Sequence, residues 1–136
     1  MALAAFDPRD LQEFTRTFED LFDDADAASM TSYYTEDAQL MAHGINPLQG
    51  HAAIAGFWRA AIARAATARA RRTIRLHESH SSGDLGYALC TVTVDIPAAV
   101  VPSIAVWDAT IWQRDPSGTW RIAVDISTPL KNERHT

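Results

Sequence analysis

Apolar residues in the first third of the chain recur at three- and four-residue spacing. Leu11, Phe14, Phe18, Leu21 and Phe22 fall on one face of a helix predicted over about residues 8–24. Asp7 supplies an N-cap, and Pro8 fits the first helical position, where a missing N–H costs nothing. A short second helix is expected over about residues 26–34. "DAQLMAH" reads as a short strand. "GINPLQG" is turn chemistry, broken by Gly44, Pro47 and Gly50. Ile54, Phe57, Trp58, Ala61, Ile62 and Ala65 then return to helical spacing and predict a third helix over about residues 51–67.

Further along, the period falls from 3.6 to 2. "RRTIRLHESH", "LGYALCTVTVDI", "SIAVWDATIWQR" and "TWRIAVDIST" are four strand candidates rich in Val, Ile, Thr and Trp. "SSGD" and "DPSG" are tight-turn signals, so the strands they join form antiparallel hairpins. "PAAVVP" is a looser connection between Pro97 and Pro102. Helices first and a strand meander afterwards define an α+β protein, with the helices packed on one face of a curved sheet.

Parity divides each of the last three strands. Trp120, Ile122, Val124 and Ile126 oppose Arg121, Ala123, Asp125 and Ser127. Ala105, Trp107, Ala109 and Ile111 oppose Ile104, Val106, Asp108, Thr110 and Trp112. Ala88, Cys90, Val92 and Val94 oppose Leu89, Thr91, Thr93 and Asp95. If the mixed faces align, they form a polar stripe of Thr91, Thr93, Asp108, Thr110, Asp125 and Ser127. Two arrangements fit. The mixed side can face water, as in a half-exposed antiparallel sheet. Alternatively it curls around a cavity beneath the helices while the apolar side meets a second subunit. The large apolar Trp112, Val106 and Ile104 on the mixed side suit the second.

The 136 residues match one domain, 1–136, with a substantial core. A formal net charge of −5 gives no general attraction to nucleic acid or an anionic membrane. No apolar stretch approaches a bilayer span of about 20 residues. A lone Cys90 excludes an internal disulfide framework. With no basic-then-apolar leader at the start, it points to a cytoplasmic protein. Basic residues concentrate over residues 59–75, where Arg69, Arg71, Arg72 and Arg75 form either a solvated face or an anion site.

"SYYTEDAQLMAHGINPLQGHAAIAGFWRAA" resembles the strand-entry and third-helix signature of nuclear transport factor 2-like proteins. "SSGDLGYALCTVTV" and "AVWDATIWQRDPSGTWRIAVDIS" resemble that family's closing hairpin, and the likeness spans roughly residues 8–128. The SnoaL-like, ketosteroid-isomerase-like branch is the nearest in pattern. The resemblance implies a cone of three helices on a strongly bent mixed sheet, an apolar inner pocket and a homodimer through the outer sheet face. Trp107, Ile111, Trp120 and Ile122 are expected at that interface. The family includes isomerases, cyclases, dehydratases, epoxide hydrolases and non-catalytic assembly modules, so fold alone does not give function. Of the steroid isomerases' working groups, the base position falls on Ala42 and the tyrosine on Phe18. Only the acid of the penultimate strand survives, as Asp108. Steroid isomerisation by that arrangement is therefore not expected.

Asp108 is the leading candidate for chemistry, because a carboxyl in an apolar cone resists ionisation and becomes a general acid or base. Pairing with Arg121 is its structural alternative. Asp125, on the next strand, can share a proton with it. Tyr34, Trp58, Tyr87, Leu89, Thr91, Thr110, Trp112 and His43 are the candidate ligand contacts. His43 is better suited to a rim, since parity turns Ala42 inward. His77, Glu78 and His80 lack metal-ligand geometry on a strand, and neither metal nor cofactor is expected. The functional expectation is a small, largely apolar ligand and cofactor-free acid/base chemistry, an isomerisation, dehydration or cyclisation. The alternative is a non-catalytic ligand-binding or dimeric assembly module.

Overall fold

The computed structural model describes residues 1–97 and 103–130; most of the "PAAVVP" connection lies outside them. Asp7 caps the first helix, α1 (Pro8–Asp23), by accepting the Asp10 N–H at 2.8 Å. Its apolar stripe, Leu11, Phe18, Leu21 and Phe22, is buried as the spacing predicts. Asp26 caps a five-residue helix, α2 (Ala27–Thr31), through the Ser29 N–H and hydroxyl. This helix is shorter than expected because the chain turns into the sheet at Tyr33, whose carbonyl accepts the Ile122 N–H at 2.8 Å. The strand β1 (Tyr34–Met41) and the two-residue β2 (Leu48–Gln49) lead into α3 (His51–Ala68). Gly50 precedes α3 with φ +91°, a backbone conformation that disfavours a side chain.

Four long strands follow: β3 (Arg71–Ser82), β4 (Leu85–Asp95), β5 (Ser103–Arg114) and β6 (Trp120–Pro129). They complete a six-stranded sheet in the order β2-β1-β6-β5-β4-β3, antiparallel except where β1 lies parallel to β6. This is the mixed α+β architecture expected, with both tight-turn hairpins in place. Register irregularities fall in β1, in β3 at Leu76/Glu78 and between β5 and β6 at Ile111/Trp112. An extra residue on one strand bends it and increases its twist. The curved sheet is thereby left open at its ends, with the helices on its concave face.

Register settles the face of each strand. Cys90 pairs with Asp108, and Asp108 with Ser127, so these three share the concave face. The inner face of β4 is therefore its apolar set: Ala88, Cys90 and Val92 are buried. The mixed set, Leu89, Thr91 and Thr93, faces outward, contrary to the aligned stripe expected from parity. On β6, Thr110 pairs with Asp125, Ile111 with Val124, and Trp112 with Ile122. Skipping one residue puts Trp120, Ile122, Asp125 and Ser127 all inside, although strict alternation separates the first two from the last two.

The core lies between this face and the helices. Trp112 is fully buried, edge-on to Phe14 with ring centroids 5.0 Å apart. Phe6 lies across Trp112 and Trp120 and fills the space above Gly86. A Cβ at residue 86 would stand 2.7 Å from the Phe6 ring, which the two tryptophans hold in place. Gly86→Ala is expected to cost about 1–3 kcal/mol in chemical denaturation through this overpacking. An unchanged midpoint would mean that Phe6 moves freely.

Candidate functional site

The helices do not fill the cone. A cavity of about 460 Å³ lies between α3 and the inner faces of β4, β5 and β6, lined by apolar groups such as Leu40, Phe57, Ala61, Val92, Val94 and Val106. A second hollow of about 40 Å³ lies deeper, under α1, among Phe18, Tyr34, Cys90 and Thr110. Trp58, Arg72, Val92, Asp108 and Asp125 line both. They form a waist, which carries the ionisable side chains of the deeper hollow's wall apart from Tyr34 and Cys90. The larger space suits a small organic molecule, and the smaller has room for about a water molecule or two.

Asp108 and Asp125 meet at this waist as diagonal neighbours on adjacent strands. Asp125 is 6% exposed, and its Oδ2 accepts the Tyr34 hydroxyl at 2.6 Å. Its Oδ1 finds no donor among the described residues. Burial pushes the Asp108 carboxyl well above the usual range, helped by the charge and the acceptor oxygens of neighbouring Asp125; Arg72 opposes it. A proton retained on Asp108 would supply the donor that Asp125 Oδ1 lacks. Tyr34 is pushed up by burial and then by Asp125, so its hydroxyl stays protonated and donates. The Cys90 thiol is pushed up to about 12, by burial first and then by the two acids, so it is not a thiolate nucleophile.

Arg72 is the group sequence reading did not single out. It shares β3's inward parity with Ile74 and Leu76, and its guanidinium stands 4.6 Å from the Phe22 ring centroid and 5.1 Å from that of Trp58. An arginine at an apolar parity in "RRTIRL" was the available signal. Arg69, Arg71 and Arg75 are exposed, so the four arginines do not form one anion site.

The structure brings together Asp108, Asp125, Tyr34, Trp58 and Thr110 of the expected site. Thr110 accepts the Trp112 indole N–H at 2.8 Å. Trp112 itself lies outside both cavities, packed under α1. Tyr87, Leu89 and Thr91 occupy the outer face because β4 turns its other side inward. There the Tyr87 hydroxyl donates to Glu78 at 2.7 Å, and Thr91 bonds to His77 at 2.8 Å. His43 sits in the exposed turn after β1, as strand parity indicated, away from either cavity. Arg121 pairs with Asp115 at 3.0 Å rather than with Asp108. Ala42 and Phe18 bring neither acid nor hydroxyl to the steroid-isomerase positions.

The SnoaL-like domain profile matches residues 3–121, and the chain belongs to that family. Its members bind small ligands and often catalyse. Among solved structures, a domain of unknown function with a cystatin-like fold from Nostoc punctiforme is 16% identical, with a TM-score of 0.77 over 90% of this chain and 76% of that one. An NTF2-like protein from Novosphingobium aromaticivorans is 20% identical, with a TM-score of 0.69 over 91% and 82%. A ketosteroid isomerase-like protein from Erwinia carotovora atroseptica is 17% identical, with a TM-score of 0.65 over 85% and 89%. At these identities the likeness is one of fold. No curated protein matches the chain by sequence. No helix among the described residues is long and apolar enough to cross a membrane.

Proposed function

We propose that this chain, as one domain over residues 1–136, binds a small, largely apolar organic molecule in the larger cavity and moves protons on it without a cofactor. The supporting observation is the Asp108–Asp125 pair at the end of an apolar chamber, where burial pushes Asp108 toward its protonated form. Asp125, fixed by Tyr34, takes a proton from substrate carbon. Asp108 gives one to the oxygen that receives the electron pair. The proton then returns from Asp125 to Asp108 through their shared hydrogen bond, which resets the site. Isomerisation, dehydration and cyclisation all use such a step. Carbonyl compounds incubated in heavy water test it: the protein should catalyse solvent deuterium incorporation, and Asp108→Asn should lose it. Incorporation no faster than in protein-free heavy water would leave only the non-catalytic binding reading, and equal catalysis by both proteins would remove Asp108 from the step.

An assembly role has its own support. Trp107, Ile111 and Ile126 are 37–38% exposed side by side on the convex face. Contiguous apolar surface of this kind marks contact sites. Trp120 and Ile122, expected there from parity, are 4% and 1% exposed in the core and cannot take part. We assign the homodimer surface to the first three. Ile111→Lys should weaken self-association about tenfold or more in sedimentation equilibrium, without unfolding the chain. A wild-type chain that stays monomeric at all concentrations would exclude this surface. The single, buried Cys90 thiol fits a cytoplasmic setting.

A further inference from the structure

Arg72 is placed as a cation awaiting a partner. It forms no ion pair among the described residues, and none of its five N–H donors meets an acceptor there with hydrogen-bond geometry. Two aromatic faces hold the guanidinium from one side, and it borders both cavities. The acids whose charge acts on it are Asp108, Asp125 and Glu19. Of the acid pair, Asp108 is held toward its neutral form by burial and by Asp125. Glu19 lies outside both cavities, and its Oε2 accepts the Ile74 N–H at 2.6 Å. Arg64 adds a second cation at the rim of the larger cavity. The lining of that cavity therefore sets two guanidiniums beside two carboxyls, of which burial holds Asp108 toward the neutral form, in an otherwise apolar chamber.

Resting on the cavity reading above, we propose that the ligand is a small organic monoanion. Its carboxylate pairs with the Arg72 guanidinium, and its apolar body lies along Phe57, Ala61, Val94 and Val106. The planar fork of arginine matches a carboxylate in bidentate fashion, and one guanidinium unpaired among the described residues, beside two carboxyls, fits a monoanion better than a phosphate dianion. Arg64 at the rim draws the anion in. A carboxylate anchored at the waist sets the adjoining carbons beside Asp108 and Asp125, where the proton transfer takes place.

Calorimetry with octanoate, 1-octanol and octyl phosphate tests this, since the three share one chain and differ in the head group. Octanoate should bind at least about tenfold more tightly than 1-octanol and more tightly than octyl phosphate. Arg72→Gln, its fold checked by circular dichroism, should remove the preference for octanoate over 1-octanol. Arg72→Lys should keep part of the preference. Equal binding of octanoate and 1-octanol by the wild-type protein, or a preference that survives Arg72→Gln, would overturn the anion inference and leave the cavity reading standing. Tighter binding of octyl phosphate would overturn the carboxylate assignment. Failure of all three to bind would overturn the cavity reading together with this one.

Discussion

Asp108→Asn should slow proton transfer by about 10²–10⁴-fold and, at neutral pH, make the protein more stable than the wild type. Both effects have one origin. In the folded wild type, burial and the neighbouring Asp125 keep the Asp108 proton in place well above the pH at which the unfolded chain releases it. Between about pH 3.9, the unfolded value, and the raised folded value, the native state binds one more proton than the unfolded state. Stability must then fall as pH rises, by about 1.4 kcal/mol per pH unit at most for this one group. Asparagine removes that slope. Its amide still donates to Asp125, so the variant loses the acid without losing the hydrogen bond. The stability gap between variant and wild type should therefore widen with pH across this window. Turnover by the wild type should decline as pH rises through the Asp108 value, because the acid form is the one that works. A constant gap from acid to neutral pH would mean that Asp108 ionises normally, and the catalytic reading would fall with it.

Trp112→Ala should cost about 3–5 kcal/mol, the range for emptying a buried aromatic site. Trp112 has no exposure, meets Phe14 and Phe6 edge-on, and spends its N–H on Thr110. Its surroundings are β5, α1 and the Phe6 ring, none of which can close over the space. Trp112→Phe keeps a ring in place and gives up one hydrogen bond, so about 1 kcal/mol is expected from that loss, plus the cost of the smaller ring. Neither cavity touches this side chain. Binding of 1-octanol by Trp112→Phe should accordingly match the wild type. A large change in that affinity would return Trp112 to the ligand site, where its strand parity alone had placed it.

The helices were legible because their signals are local. Asp7, Pro8 and the Leu11–Phe22 stripe define α1 without reference to the rest of the chain. The strands were legible as strands for the same reason, and β5 turned the expected side inward. What the sequence did not carry was the relation between strands. Residues 88–94 offer a clean apolar face and a clean mixed face, and only the pairing of Cys90 with Asp108 decides which of them lines the hollow. Strict alternation likewise failed at Ile122, because the register shift between β5 and β6 turns both sets of that strand inward. Tyr87, Leu89, Thr91, Trp120 and Ile122 were misplaced through these two long-range facts alone. Asp108 survived because β5 turns its mixed side toward the helices, and Asp125 because it lies past the register shift, opposite the inward Thr110. Arg72 was passed over as one of several arginines, although its parity with Ile74 and Leu76 set it apart.

At neutral pH the Asp108 and Asp125 carboxyls are expected to share one proton inside the apolar chamber. Carbon-13 NMR of the aspartate side-chain carboxyls, followed through a pH titration, reads this directly. One aspartate, absent from the spectrum of Asp108→Asn, should remain protonated long after the exposed aspartates have ionised, and the signal of Asp125 should shift when it finally titrates. If every aspartate of the wild-type protein ionises in the ordinary acidic range, the two groups are solvated and independent, and the account is wrong.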